Sequence, residues 1–119
     1  MNRYTATGRV VRPVSTQVTP QGTTVMNNVL AVRKIRGSEE QNADFIPFVA
    51  WGKTAEMVNQ YVRKGHQIAV DGRLQSRHYR NKDDQEVYVV ELVVNTVDLL
   101  EPKKKETLPD SGDLNELLD

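Results

Sequence analysis

The sequence predicts an all-β fold, a five-stranded Greek-key barrel with one α-helix between its third and fourth strands. Three observations lead to this prediction. Apolar residues recur at every second position in several segments, which is typical of half-buried strands. Residues 53–64 instead have the apolar spacing of a three-turn helix. Two polar segments, residues 36–42 and 81–85, have the composition of hairpin tips.

The composition fits one domain with one core. The 119 residues are 38% apolar and 27% charged, as expected for a soluble globular protein. No apolar run reaches the roughly 20 residues of a membrane span, and MNRYTATGR lacks the apolar segment of a secretory signal. Because cysteine is absent, disulfides, thiolate catalysis and sulfur-ligated metal sites are excluded. We therefore expect a cytoplasmic protein with no membrane partner.

Three long strands are predicted in the N-terminal half. The first is rich in β-forming residues and is interrupted by Pro13. A short extended segment, residues 14–19, leads to a turn at residues 20–22. The second long strand has Val25, Val29 and Ala31 on one side, at the spacing of alternate strand positions. In chain order, the three long strands are residues 4–12, 23–36 and 44–51.

A helix is predicted where the apolar period changes. Gly52 precedes this segment, and Gly65 follows it at the usual position of a C-terminal stop. Arg63 and Lys64 would then lie in the last turn, where positive charge interacts favourably with the helix dipole. The apolar residues on one face of the helix are Ala55, Met57, Val58, Tyr61 and Val62.

Two further strands follow the helix, over residues 66–79 and 86–100. We place the folded domain at residues 1–102 and a short spacer with an acidic tail at residues 103–119. Three strands, one helix and two strands is the order of the oligonucleotide-binding (OB) fold, whose sheet and loops bind oligonucleotides. A two-layer sheet covered by one helix is the alternative.

Charge is distributed unevenly, although the formal net charge is zero. Residues 106–119 contain five acidic residues and no Lys or Arg, so residues 1–105 carry 16 basic and 11 acidic residues, a net charge of +5. A basic body with an acidic tail suggests a surface that binds a polyanion and a separate acidic segment.

Side-chain alternation predicts a surface that carries both cations and rings. On the fourth strand, Ile68, Val70 and Leu74 form the core side. Single-stranded nucleic acid needs cations for its phosphates and flat rings for its unstacked bases, interleaved on one surface. The opposite side of the fourth strand has this character, since it ends in Arg73, Gln75, Arg77 and Tyr79. The second strand likewise ends in Arg33, Lys34 and Arg36.

Simpler structural roles remain open for these residues. On the third strand, Phe45 and Trp51 share one side, and a core position fits them as well as a stacking role. The alternative for Arg73 and Arg77 is a solvated face, paired with Asp71 and Glu86.

Catalysis has little support in the sequence. We find no glycine-rich phosphate loop and no serine elbow motif. A nuclease would require Asp44, Asp71 and Glu91 to assemble a magnesium site, and nothing fixes their spacing. His66 and His78 are too far apart for a short-spaced zinc pair. We therefore predict no enzyme activity, no metal and no cofactor.

The sequence resembles the bacterial-type single-stranded DNA-binding protein family over residues 1–102. Each matching segment is weakly specific alone, but their order and spacing together are highly specific. The segments are TGRVVRP near the start, TPQG at 19–22, VLAV at 29–32, ADFIPFVAWGKTAEMV at 43–58, YVRKG at 61–65, VDGRLQSRHY at 70–79 and VYVVELVVNTVDLLEP at 87–102.

The resemblance implies an OB-fold that assembles as a homotetramer and wraps single-stranded DNA without strong sequence preference. Carried over by position, it implies that Phe45, Trp51 and Tyr79 stack on DNA bases. It also implies that basic residues hold the DNA backbone. We assign this role to Arg33, Lys34, Arg36, Lys53, Arg63, Arg73 and Arg77.

Two departures from the family pattern are informative. Members commonly have another aromatic residue near the end of the second strand, where this chain has Arg36, whose guanidinium plane can also stack on a base. Replicative members end in a long linker and an acidic tip with a final Pro-Phe that recruits DNA-maintenance enzymes, whereas this chain ends in SGDLNELLD. We assign partner binding in this tail to Asp113, Leu114, Glu116, Leu117, Leu118 and Asp119. The alternative is that the tail lies over the basic groove and competes with DNA.

We therefore expect a protein that coats single-stranded DNA in replication, recombination or repair and is associated with the nucleoid. Its expected partners are single-stranded DNA, further copies of the chain in a homotetramer, and replication or repair proteins bound through the tail. The alternative from another class is an adaptor, in which the barrel binds another protein and the acidic tail is the working part.

Overall fold

The computed structural model describes residues 1–36 and 42–101, which form six strands and one helix. In chain order these are β1 (Tyr4–Val10), β2 (Gln17–Val18), β3 (Thr24–Arg33), β4 (Ala43–Trp51), α1 (Gly52–Tyr61), β5 (Gln67–Arg80) and β6 (Glu86–Leu99). None of the helical residues in these two ranges forms a segment long and apolar enough to cross a membrane.

The five longer strands close into a barrel. Along the sheet the order is β1-β5-β6-β4-β3-β2, and β1 pairs with β3 as well as with β5, which joins the two ends of the five-strand set. The barrel pairs are antiparallel except for β4 and β6, which run parallel. Because β2 adds only two residues at the edge of β3, the predicted five-stranded barrel with one helix is confirmed.

Alternate strand positions fill the core of the barrel. Met26, Leu30 and Phe48 are among the largest side chains that are fully buried. Helix α1 adds Ala55 and Val58, which are both inaccessible to solvent. Burying a side chain the size of leucine or phenylalanine contributes about 1.5–3 kcal/mol. This core fixes the inward side of each strand, and the outward side is left for other contacts.

Helix α1 ends earlier than the sequence predicts. Its last residue is Tyr61, and Val62 has extended backbone angles (φ −115°, ψ 140°), so the predicted placement of Arg63 and Lys64 in the last turn is wrong. The Val62 side chain is fully buried, and the N–H of Gly65 donates to the last carbonyl of β1 at 2.7 Å. These contacts with the barrel outweigh the favourable charge at the end of a longer helix, which is worth only about 0.3–1 kcal/mol.

Strands β5 and β6 continue past the barrel as a two-stranded ribbon, and we call residues 75–91 the hairpin arm. The last pair between β1 and β5 joins Tyr4 to Gly72, and β6 changes register at the same point, opposite Asp71 and Gly72. Leu74, which was predicted to face the core, is instead 38% exposed. The reason is that β1 pairs with β5 only up to Gly72. Beyond that residue, the side chains on the core side of β5 are no longer enclosed by the barrel.

Candidate nucleic-acid interface

Three of the exposed aromatic side chains in the described residues are those predicted to stack on bases. Phe45 and Trp51 of β4 are 63% and 47% exposed, and Tyr79 of β5 is 46% exposed. Phe48, on the alternate side of β4, is only 1% exposed and belongs to the core. The interpretation of Phe45 and Trp51 as core residues is therefore wrong for this chain, and both rings are accessible to a ligand.

Strand register places these rings on one continuous side of the sheet. Val49 lies between Phe45 and Trp51 on the outward side of β4 and pairs with Val93 of β6. Val93 in turn pairs with Arg73 of β5. Paired residues point to the same side of a sheet, so the outward residues of β4 and β5 share one surface. We call this surface the candidate face, and its members are Phe45, Trp51, Arg73, Gln75, Arg77 and Tyr79.

Arg33 extends the candidate face at the end of β3. Ala31 pairs with Phe45, and Arg33, two residues further along the strand, is exposed on the same side. Arg33 also lines an open groove of about 380 Å³ together with Arg9 and Ala43. A cation therefore lies near Phe45 at one end of the face.

Arg77 and Tyr79 form a cation–ring pair at the other end of the candidate face. The Arg77 Cζ atom lies 5.8 Å from the centroid of the Tyr79 ring. The Arg77 Nε atom donates to Glu91 Oε2 at 3.2 Å, and the Gln75 Nε2 atom donates to the same oxygen at 2.9 Å. The Glu91 side chain is only 9% exposed, whereas that of Arg77 is 53% exposed. The buried carboxylate thus lies beneath an accessible guanidinium.

Two further basic residues lie beyond the end of β3. Lys34 Nζ is 3.4 Å from Asp44 Oδ1, and Asp44 points to the side of β4 opposite Phe45. The structure therefore does not bring Lys34 onto the candidate face. Arg36 is exposed next to Ile35, which is fully exposed, and the residues that follow lie outside the described ranges. No strand pairing relates Arg36 to the face, and its role in binding stays a prediction.

Lys53 and Arg63 are not part of the sheet. Lys53 is exposed in the first turn of α1, two residues after Trp51. Arg63 lies in the turn that follows α1, where its backbone N–H donates to His66 Nδ1 at 3.2 Å. Lys53 is therefore close in sequence to Trp51 of the candidate face, whereas strand register does not connect Arg63 to that face.

The alternative in which the two β5 arginines pair with Asp71 and Glu86 is wrong. Asp71 pairs with Arg3 at 3.0 Å, and Glu86 Oε2 lies 2.7 Å from His78 Nδ1. Alternation explains the second result, because Glu86 and His78 occupy the side of the hairpin arm opposite Arg77. Among the described residues, Arg77 pairs with Glu91 instead, and Arg73 has no ion-pair partner.

Glu91 was not recognised in the sequence as part of this surface, although a signal was present. The polar tip at residues 81–85 was predicted, and it sets Arg80 opposite Glu86. Counting residues along both strands away from the tip, starting at that pair, places Gln75 opposite Glu91, as the structure shows. Alternation within a single strand does not show this pairing, which requires counting residues across the hairpin.

The carboxylates considered for a magnesium site do not meet. Asp44, Asp71 and Glu91 each pair with a different cation, Lys34, Arg3 and Arg77. Within residues 1–36 and 42–101 there is no group of three or more potential metal ligands. The arrangement on the candidate face is suited to stacking and to phosphate contacts, since it combines exposed rings with exposed guanidinium groups.

The predicted spacer and tail, residues 103–119, lie outside the described residues, and so do the tail residues assigned to partner binding. The last described residue, Glu101, is tied back to the barrel. Its Oε2 atom accepts hydrogen bonds from Arg9 Nη1 at 2.9 Å and from the Gln67 N–H at 3.2 Å. The described fold therefore ends in a fixed contact close to the predicted domain boundary.

Comparisons with known proteins agree with this geometry. The sequence model of the Single-strand binding protein family matches residues 1–100. Single-stranded DNA-binding protein 1 of Staphylococcus aureus (strain MSSA476) is 42% identical over 105 residues, which cover 87% of this chain and 67% of the relative. Single-stranded DNA-binding protein 3 of Listeria innocua is 42% identical over 106 residues, which cover 87% of this chain and 66% of the relative.

A solved structure confirms the predicted OB-fold. A chain described as Plasmodium falciparum SSB complex with ssDNA matches with a TM-score of 0.73 and 20% sequence identity, covering 85% of this chain and 96% of that chain. At this identity the likeness concerns the fold. The family match over most of the chain and the relatives at 42% identity show that this chain belongs to the Single-strand binding protein family.

Proposed function

We propose that this protein binds and coats single-stranded DNA without strong sequence preference. The observation that carries this proposal is the candidate face, where exposed rings of Phe45, Trp51 and Tyr79 share one side of the sheet with Arg73 and Arg77. Family membership supports it, and so do the names of relatives such as the Staphylococcus aureus protein.

The chemistry of the face favours unpaired strands over duplexes. A base can stack on an aromatic side chain only when it has left the duplex, and each such contact is worth about 1–3 kcal/mol. Stacking tolerates any base because every base has a flat π-face. Arginines supply contacts with phosphates, which add affinity that falls as salt concentration rises. Binding of this kind distinguishes single-stranded from double-stranded DNA and does not distinguish one base sequence from another.

The proposed biological role follows from equilibrium binding alone. A protein that covers exposed strands protects them from nucleases and melts hairpins by mass action during replication, recombination or repair. No bond is made or broken in this process, so we propose a DNA-binding protein without catalytic activity. We place it in the cytoplasm, associated with the nucleoid.

We also propose assembly as a homotetramer. The side of the hairpin arm opposite the candidate face exposes Tyr88 (70%) and Val90 (58%), with Leu74 (38%) at its base. Neighbouring exposed apolar side chains of this size favour contact with another protein surface. Light scattering should give a mass four times that of the 13.5 kDa chain. A monomeric mass at micromolar concentration would contradict this proposal.

The C-terminal tail is proposed to recruit replication or repair proteins. Its support is composition, since three acidic residues and three leucines lie together from Asp113 to Asp119. Truncation after residue 105 should leave binding to oligo(dT) intact and abolish capture of such a partner. Weaker DNA binding after truncation would contradict the proposed role, and stronger DNA binding would favour a tail that competes with DNA.

The central proposal is tested by titration of the fluorescence of Trp51, the single tryptophan of the chain, with oligo(dT) of graded length. We expect quenching that saturates, and that weakens from 50 mM to 200 mM salt. A duplex of the same length is the control and should bind more weakly at both salt concentrations. Equal affinity for the two forms, or no binding of either, would overturn the proposal. Absence of binding to either form of DNA, together with capture of a protein partner, would favour an adaptor.

A further inference from the structure

We propose that Glu91 is a positioning residue of the candidate face, whose buried carboxylate holds Arg77 in place so that its guanidinium and the Tyr79 ring meet DNA as a preformed pair. This inference rests on the proposed function, because it concerns the same surface. It assigns a role to an acidic residue on a surface whose expected ligand is itself an anion.

The contacts of Glu91 are restricted to this surface. Its Oε2 atom accepts one hydrogen bond from Arg77 Nε at 3.2 Å and one from Gln75 Nε2 at 2.9 Å. Gln75 lies directly opposite Glu91 in the β5–β6 ladder, so the backbone register brings the two side chains that form the shorter bond together. Both donors belong to the candidate face.

Burial gives this carboxylate a stronger hold than an exposed ion pair would have. Glu91 is one of two buried polar or charged residues in the described part of the chain, with a relative exposure of 7%. A carboxylate removed from water requires partners, because an unpaired buried charge is costly. Hydrogen bonds to an ionised group are also about twice as strong as neutral ones. Glu91 therefore restrains the flexible Arg77 side chain before any ligand binds.

The bonding pattern leaves Arg77 available to DNA. Glu91 engages the Nε atom, and among the described residues none is hydrogen-bonded to the two terminal nitrogens of Arg77. The Arg77 side chain is 53% exposed, and its Cζ atom lies 5.8 Å from the Tyr79 ring centroid. A phosphate can thus approach the terminal nitrogens while a base approaches the ring. Because Arg77 is already ordered, less side-chain freedom is lost on binding.

Two explanations of the effect of Glu91 on DNA binding, through its charge or through the position of Arg77, can be separated by one substitution. If the carboxylate acted only through its charge, it would repel phosphates, and its neutralisation would strengthen DNA binding. If it positions Arg77, its neutralisation weakens DNA binding, because the amide of glutamine holds the guanidinium less firmly. The two explanations therefore predict changes of opposite sign for the same substitution.

The experiment compares the parent chain with Glu91→Gln, Arg77→Gln and the double variant, by anisotropy of labelled oligo(dT). We expect Glu91→Gln to weaken binding about three- to tenfold, part of the value of one charge-assisted hydrogen bond. It should also lower the slope of log affinity against log salt, by no more than the roughly 0.7 expected for Arg77→Gln, which removes the phosphate contact outright. In the Arg77→Gln background, Glu91→Gln should not weaken binding further. Glu56→Gln, which removes one negative charge from an exposed position on α1, is the matched control and should not weaken binding.

Each other outcome has a defined meaning. Unchanged or tighter binding by Glu91→Gln overturns the proposal, and so does an equal weakening in both backgrounds, because Glu91 would then not act through Arg77. Circular dichroism and thermal melting check each variant, and Glu91→Asp replaces Glu91→Gln if the latter does not fold. A parent chain that binds no oligo(dT) overturns the proposed function itself, whereas a binding parent with an unaffected Glu91→Gln variant overturns only this inference.

Discussion

Asn2 and Leu74 form a doubly hydrogen-bonded pair at the base of the hairpin arm. Asn2 Nδ2 donates to the Leu74 carbonyl at 2.8 Å, and the Leu74 N–H donates to Asn2 Oδ1 at 3.1 Å. A further strand residue would make the same two bonds, and they lie just past the last β1–β5 pair, Tyr4 with Gly72. One side chain thus satisfies the backbone of β5 where the arm leaves the barrel.

Asn2→Ala should loosen the base of the arm. The substitution leaves both backbone groups of Leu74 without their protein partner, although water can replace it at this exposed site. We expect a loss of about 0.5–1.5 kcal/mol in the free energy of unfolding. The Leu74 amide should also exchange its hydrogen faster, as measured by NMR. An unchanged exchange rate at Leu74 would show that the side chain does not hold the strand.

Asn28 makes the corresponding contact inside the barrel. It is only 3% exposed, its Oδ1 atom accepts from the Arg12 N–H at 3.1 Å, and its Nδ2 atom donates to the Arg12 carbonyl at 3.1 Å. Asn28→Ala should lower the free energy of unfolding by about 1–3 kcal/mol, because the part-buried backbone groups of Arg12 lose the buried side chain that binds both of them. Urea denaturation measures this change. The neighbouring exposed residue provides the control, since Asn27→Ala should change stability much less. Equal effects at the two positions would contradict the assignment.

Alternation within strands was sufficient to predict that Phe45 and Trp51 share one side of their strand, but not which side faces the core. Phe45 and Phe48 are three positions apart on one strand and therefore point to opposite sides, and only Phe48 is buried. The prediction from alternation was wrong at Leu74, which occupies a core-side position of β5 but lies past the last residue that pairs with β1. The end of β1 determines where the core side of β5 becomes exposed. The apolar period of β5 alone carries no information about where β1 ends.

Partners of charged groups were harder to predict than exposure. The carboxylate that binds Arg77 belongs to β6, 14 positions further along the chain, and only cross-strand register brings the two together. The end of α1 was missed for a related reason, since a bond from Gly65 to the last carbonyl of β1 competes with continuation of the helix. Local propensity cannot report such long-range contacts.

Gly72→Ala should destabilise the junction between barrel and arm. A Cβ atom at this position would overlap the Val93 carbonyl oxygen, which belongs to backbone and cannot rotate away. We expect a loss of about 1–3 kcal/mol, as for other substitutions that force backbone to shift. Thermal melting measures this loss, and Ser76→Ala, at an exposed position of the same strand, is the control. A melting temperature for Gly72→Ala equal to that of the control would mean that the close approach is absent in solution.

Trp51→Ala should weaken binding of oligo(dT) by about 1–3 kcal/mol, the value of one stacked base. The ring carries no charge, so the salt dependence of binding should hardly change. Because the substitution removes the only tryptophan, anisotropy of a labelled oligonucleotide replaces intrinsic fluorescence. Val18→Ala removes an exposed apolar side chain from β2 and should bind like the parent. A large change in salt slope for Trp51→Ala would indicate that the ring acts by placing a cation rather than by stacking.

Arg73→Gln should produce the complementary result. Arg73 is exposed on the candidate face and has no ion-pair partner among the described residues, so its charge is available to a phosphate. Loss of one phosphate contact should reduce the slope of log affinity against log salt by about 0.7, with the largest loss of affinity at low salt. Lys64→Gln removes an equal charge from the turn after α1, and should leave the slope unchanged. If both substitutions reduce the slope equally, DNA responds to the total charge of the protein and not to a contact at Arg73. The comparison therefore separates a local phosphate site on β5 from general attraction to a basic domain.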